Sequence, residues 1–144
     1  MAKIIAVCIG DKKGCKKKAV AEGTLKSGYG MIGDAHADND SHRQVSLLAM
    51  SSIEKMREMG AKVGPGDFAE NLTIEGMELF TLPIGTRLSI GSDIVLEMTQ
   101  IGKECHEHCA IFKQVGICVM PKEGIFTRVI NGGVVKVGDE LKKI

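Results

Sequence analysis

Arg87-Leu88-Ser89-Ile90-Gly91-Ser92-Asp93-Ile94-Val95-Leu96-Glu97-Met98-Thr99-Gln100-Ile101 reads as two strands around one turn. Gly91-Ser92-Asp93 supplies the turn chemistry, and the flanking residues are apolar and β-branched. In the second arm Ile94, Leu96 and Met98 alternate with Val95, Glu97 and Thr99. Successive side chains of a strand point to opposite faces, so a period of two marks a strand with one buried face.

Outward from this hairpin the same grammar recurs. Ile125–Ile130 and Val134–Val137 flank Asn131-Gly132, a dipeptide that favours a tight hairpin turn. Lys3–Ile9 reads as a buried strand, Gly10–Lys18 as a basic, solvated loop, Ala19–Leu25 as a short strand and Gln44–Leu48 as another. Tyr29–Asn39, rich in Gly, Asp and His, reads as an irregular loop. The one well-signalled helix covers Ser51–Met59, with a capping box from Ser51 to Glu54 and a terminating Gly60. Gly64-Pro65-Gly66-Asp67 then turns the chain. The 18 glycines punctuate short apolar runs. The expectation is a mainly β protein: a closed or partly closed β-barrel with a few short flanking helices. Its 144 residues fit one domain, 1–144.

Composition removes several function classes. A net charge of +1 argues against a nucleic-acid or membrane-surface partner. Aromatic residues make up only 3%, too few for base-stacking platforms. No run approaches the roughly 20 apolar residues of a membrane span, and Lys3–Ile9 is too short for a secretory core. A cytoplasmic setting is expected, where the five cysteines stay mostly reduced.

The densest polar cluster is Cys105-His106-Glu107-His108-Cys109, with Cys118 beyond it. It follows the amphipathic strand that ends near Ile101. Lys103 and the histidines would favour the Cys105 thiolate, the nucleophilic and metal-ligating form. Cys109 and Cys118 read either as partners in a metal site or as small core residues. Zinc or an iron–sulfur cluster is the lesser option, because the second pair of ligands that structural zinc sites usually carry is missing. A second constellation, Gly33-Asp34-Ala35-His36 with His42-Arg43-Gln44, joins a glycine loop to an arginine able to grip an anion, or is a solvated loop. A third, Gly66-Asp67-Phe68-Ala69-Glu70-Asn71-Leu72, offers Glu70 and Asn71 to a heterocycle or to a turn.

These motifs, in this order, resemble those of the MOSC family, named for the C-terminal domain of molybdenum cofactor sulfurase. The resemblance rests on Gly33-Asp34-x-His36, Arg43 through Leu48, Gly66 through Thr73 with Gly76, Leu82 through Gly91, Thr99-Gln100 with Cys105, and Arg128-Val129 through Gly138-Asp139. Many relatives place proline immediately before the cysteine, where this chain has Lys103-Glu104.

The resemblance implies a β-barrel and a role with the molybdenum–pterin cofactor. Cys105 becomes the molybdenum ligand or sulfur carrier, with Cys109 and Cys118 as further candidates. His36, Arg43, Glu70, Asn71, Lys103 and Arg128 become candidates for lining a shared pocket. Two activities follow. In one the chain carries the cofactor or its sulfur, as a sulfurtransferase-like protein. In the other it is a molybdenum-dependent reductase of N-hydroxylated substrates. A cysteine-cluster metal module without catalysis is the third reading. The sequence shows no desulfurase, flavin or iron–sulfur region, so a cysteine desulfurase, a molybdoenzyme or an electron donor is the expected partner.

Overall fold

The computed structural model describes residues 2–10, 17–102 and 123–144. Its elements in chain order are β1 (Ala2–Ile9), β2 (Lys18–Val20), β3 (Glu22–Lys26), β4 (Gly30–Met31), β5 (Val45–Ala49), α1 (Met50–Glu58) and β6 (Leu72–Glu75). A 3-10 turn at Leu79–Thr81 follows, then β7 (Arg87–Ile90), β8 (Ile94–Ile101), β9 (Ile125–Asn131), β10 (Gly133–Lys136) and β11 (Glu140–Lys143).

Seven strands close into a barrel in the order β11-β7-β8-β9-β5-β6-β1, and β1 returns to β11 through Ala2↔Leu141 and Lys3↔Glu140. All these pairings are antiparallel except β5–β6. A parallel neighbour needs a crossover, and α1 with the turn after it provides that path. β2 extends the end of β1, and β10-β3-β4 form a separate small sheet.

The barrel interior is packed with Ile4, Val7, Val45, Leu47, Leu72, Ile74, Leu88, Leu96, Met98 and Ile125. Alternation on β8 is as the sequence predicts: Ile94, Leu96 and Met98 are buried while Val95, Glu97 and Thr99 are only partly covered. Every residue of β5 is buried, because its second face lies under a satellite core of Leu48, Ile53, Met56, Val63, Phe68 and Phe126. A strand covered on both faces loses its polar–apolar alternation, which explains the unbroken run at Val45–Ala49.

The predicted helix is present, but its start differs. Ala49 is the N-cap and no side chain caps it, so Ser51 and Glu54 form no capping box. The first turns are instead tied from outside: the Ser52 hydroxyl donates to Glu123 Oε1 at 2.6 Å and Lys55 pairs with the same carboxylate at 3.0 Å. At the other end Gly60 takes φ +98°, and the N–H groups of Gly60 and Ala61 return to the carbonyls of Arg57 and Met56. This double closure is the Schellman arrangement that a glycine permits.

The hairpin expected at Asn131-Gly132 does not form. β9 stays in the barrel beside β5 and β8, whereas β10 crosses to β3. Neither Asn131 nor Gly132 has the positive φ of a tight hairpin turn. Gly132 is needed for a close approach instead. A Cβ there would strike the Leu25 carbonyl oxygen and stand 3.1 Å from Ser27 N, and the Gly132 N–H donates to Ser27 Oγ at 2.9 Å. Gly132→Ala is therefore expected to cost about 2 kcal/mol by overpacking, read as a lowered denaturation midpoint. A midpoint equal to the parent's would refute the account.

Candidate functional site

Two of the motifs read from the sequence meet at the end of β1. Asn71, fully buried, fastens three strands. Its Oδ1 accepts from Ser46 N–H of β5 at 3.0 Å and lies 3.2 Å from the Ser46 hydroxyl, and its Nδ2 donates to the Cys8 carbonyl of β1 at 3.1 Å. Glu70, also fully buried, folds back under its own loop. Oε1 accepts from the N–H groups of Gly66 (3.0 Å) and Phe68 (3.3 Å), and Oε2 accepts from the Thr73 hydroxyl at 3.1 Å. Ala69, between Phe68 and Glu70, sits at φ +64°, the one positive φ outside glycine among the described residues. That conformation stores strain of order 1 kcal/mol, and the internal bonds of Glu70 hold it.

Burial pushes the Glu70 carboxyl up to about 7, against the pull of its donors. An acid with a raised folded value favours its protonated form in the native state. Its stabilising contribution is fully present below the usual value near 4.5 and is lost as pH rises through about 7. Glu70→Gln is expected to flatten the stability profile between those limits. A profile with an unchanged slope in that window would overturn the reading.

The first motif closes on the same strand end. Asp34 Oδ1 accepts from Gly10 N–H (2.9 Å) and from Lys17 Nζ (2.7 Å), and Oδ2 accepts from His36 N–H (3.0 Å). Both side chains of the Lys17–Asp34 pair have zero exposure. Lys17 was expected in a solvated basic run and is here a buried ion pair. Burial alone would raise the Asp34 carboxyl, but the nearby His36 ring, the Lys17 ammonium and the backbone N–H groups of Gly10 and His36 outweigh it and hold it well below the usual carboxylate range. The backbone of Lys17 donates to Gly66 O at 2.8 Å, which joins this motif to the loop held by Glu70. Cys8 lies inside this knot, and burial followed by the charge of Glu70 pushes its thiol up to about 12. Its burial agrees with its place in an apolar strand.

Arg43 and Arg128 occupy a different place, the outer face of β8 and β9. The Arg43 guanidinium stands 5.8 Å over the Phe126 ring. His42 Nδ1 lies 3.0 Å from Thr99 Oγ1, and the Thr99 hydroxyl is 2.7 Å from the His42 carbonyl. Arg128 bonds Glu97 at 2.8 Å, and Arg87 reaches the same carboxylate at 3.2 Å. Between residues 39–44 and β9 lies a cleft of about 510 Å³, lined in part by Asn39, Asp40, His42 and Arg128.

The structure thus brings His36, Glu70 and Asn71 to one knot and Arg43 and Arg128 to one face. Ser46 bridges the two, bonded to Asn71 and paired with Phe126. Lys103, Cys105, Cys109 and Cys118 lie outside the described residues. Among the described residues no cluster of His, Cys, Asp or Glu could hold a metal, and no helix is long and apolar enough to cross a membrane. Lys17, Ser46 and Thr99 were not named as site residues from the sequence, although Ser46 and Thr99 fall within motifs that carry the resemblance. Their partners are distant in the chain, so no local pattern gives their roles.

A closed seven-strand barrel with motif-bearing loops knotted at one strand end defines a β-barrel domain class. Residues 33–142 match the family model for the MOSC domain, and the chain belongs to that family, which is associated with molybdenum cofactor binding or sulfuration. Among solved structures it is similar to the YuaD protein from Bacillus subtilis, at 20% identity and a TM-score of 0.82 over 97% of this chain and 93% of that one. It is also similar to YiiM from Geobacillus stearothermophilus, at 17% identity and a TM-score of 0.73 over 100% of this chain and 75% of that one. YiiM from Escherichia coli follows at 20% identity and a TM-score of 0.69, over 100% of this chain and 70% of that one. No curated protein matches the chain significantly in sequence.

Proposed function

We propose that this chain binds the molybdenum–pterin cofactor and carries its sulfur or metal on the Cys105 thiolate for delivery to a molybdoenzyme. The supporting observation is the position of Arg43 and His42. They stand over Phe126 and Thr99, close in sequence to Glu123 and Gly102, the two ends of the stretch that contains Cys105. The donor set suits the cofactor's chemistry. An exposed guanidinium can grip a phosphate bidentately, a second guanidinium, that of Arg128, belongs to a residue lining the cleft, and thiolate sulfur is a soft ligand. Bound there, the cofactor would supply a metal centre that accepts sulfur.

In this reading Arg43 and Arg128 bind the anionic end and Lys103 favours the thiolate. Glu70 and Asn71 act indirectly, by holding the strands from which the binding loops leave. His36 presents a ring edge from the knot. A cysteine desulfurase is the partner that would load sulfur.

The test is metal and pterin content of protein isolated without oxygen from a molybdenum-replete host. The parent should retain molybdenum with pterin, and Cys105→Ser should lose it or lose persulfide formation, with its unfolding transition unchanged. At limiting alkylating reagent Cys105 should be labelled before Cys8, whose thiol is buried and raised. Zinc or iron without pterin, or full cofactor retention by Cys105→Ser, would defeat the proposal.

A further inference from the structure

The contact between Lys17 and His36 has a chemical consequence that neither residue shows alone. Lys17 Nζ lies 3.0 Å from His36 Nδ1 and 2.7 Å from Asp34 Oδ1. With a fully buried carboxylate as its partner, Lys17 is an ammonium, and an ammonium has only donors. The His36 Nδ1 atom must therefore accept, and its ring proton must sit on Nε2. The competing arrangement, with Nδ1 protonated and donating to Asp34, is not made: Nδ1 is 3.7 Å from Oδ2, beyond hydrogen-bond range. Asp34 Oδ2 is engaged by the His36 backbone N–H instead.

We propose that Lys17 is a positioning residue that locks His36 in the Nε2–H tautomer. The lock is built to be stiff. Lys17 and Asp34 are fully buried, and Asp34 is anchored to the backbone of both Gly10 and His36. The His36 side chain alone keeps an exposed edge, 17% accessible. That edge carries a hydrogen-bond donor. Its chemical complement is an oxygen acceptor, such as a phosphate or carbonyl oxygen. It is not a metal ion, because Nδ1 is occupied by Lys17 and Nε2 bears the proton. The tautomer stands independently of the cofactor reading, whereas use of the donor against a cofactor oxygen rests on it.

Nitrogen-15 NMR of the imidazole rings at neutral pH tests the lock, with His36 assigned by the loss of its signals in His36→Gln. The whole chain should show one protonated nitrogen at Nε2 and one unprotonated nitrogen at Nδ1. In Lys17→Met the donor is gone and the Asp34 carboxylate remains, so the ring proton should shift toward Nδ1 or both nitrogens should become protonated. Backbone amide dispersion reports whether that variant is folded, and the parent spectrum decides the matter if it is not. A parent His36 with Nδ1 protonated, or with both nitrogens protonated, would overturn the proposal. So would a folded Lys17→Met whose His36 pattern equals the parent's.

Discussion

Asn71→Ala is expected to remove about 4 kcal/mol of stability, a large share of the 5–15 kcal/mol that holds a typical domain. The substitution deletes bonds to Ser46 N–H and to the Cys8 carbonyl, both at buried positions, and takes a partner from the Ser46 hydroxyl. Each orphaned buried group costs about 1–3 kcal/mol, and water entering the cavity recovers part of the sum. The loss falls where β1, β5 and β6 are clamped together, so it should also loosen the Lys17–Gly66 contact. Denaturant unfolding should show a midpoint far below that of Gly132→Ala. A change under about 1 kcal/mol would mean that Asn71 is not a fastener.

The arms Arg87–Ile90 and Ile94–Ile101 were legible in the sequence because a half-buried strand writes its geometry into a period of two. Asn131-Gly132 misled because dipeptide preference describes a turn in isolation. The glycine answers to Leu25 and Ser27, over a hundred residues away. Ser51 and Glu54 spell a capping box that the chain leaves unused, since Glu123 ties down that helix end from outside. The candidate site was legible as residue types but not as roles. Asp34, Glu70 and Asn71 stood out as polar residues in glycine-rich loops, and only the fold reveals that their polar atoms serve the chain's own backbone and buried lysine. Lys17 looked like one more member of a basic run, because the carboxylate that buries it is 17 positions distant. Arg43 was read as an anion-binding residue from its chemistry alone, and its stacking over Phe126 depends on a strand pairing that no local motif encodes.

Asp34→Ala should be as damaging as the loss of Asn71, by a different route. The substitution strands the Lys17 ammonium at a fully buried position and leaves the N–H groups of Gly10 and His36 without their acceptor. Removing one partner of a buried ion pair costs about 3–5 kcal/mol, because the remaining charge has neither water nor counter-ion. Acid should reproduce part of this loss in the parent. The Asp34 carboxyl is held below its usual value of 3.8 in the native state. Its contribution is therefore present above that value and disappears as pH falls through it toward the folded value. The parent should thus lose stability steeply on the acid side, opposite in sign to the effect of Glu70, whose protonation favours the fold. In Asp34→Asn that acid limb should shrink, while a double-mutant cycle with Lys17→Met should give a coupling of about 2 kcal/mol or more. Additive effects of the two substitutions, or an acid limb unchanged in Asp34→Asn, would show that the pair does not hold the loop that carries His36.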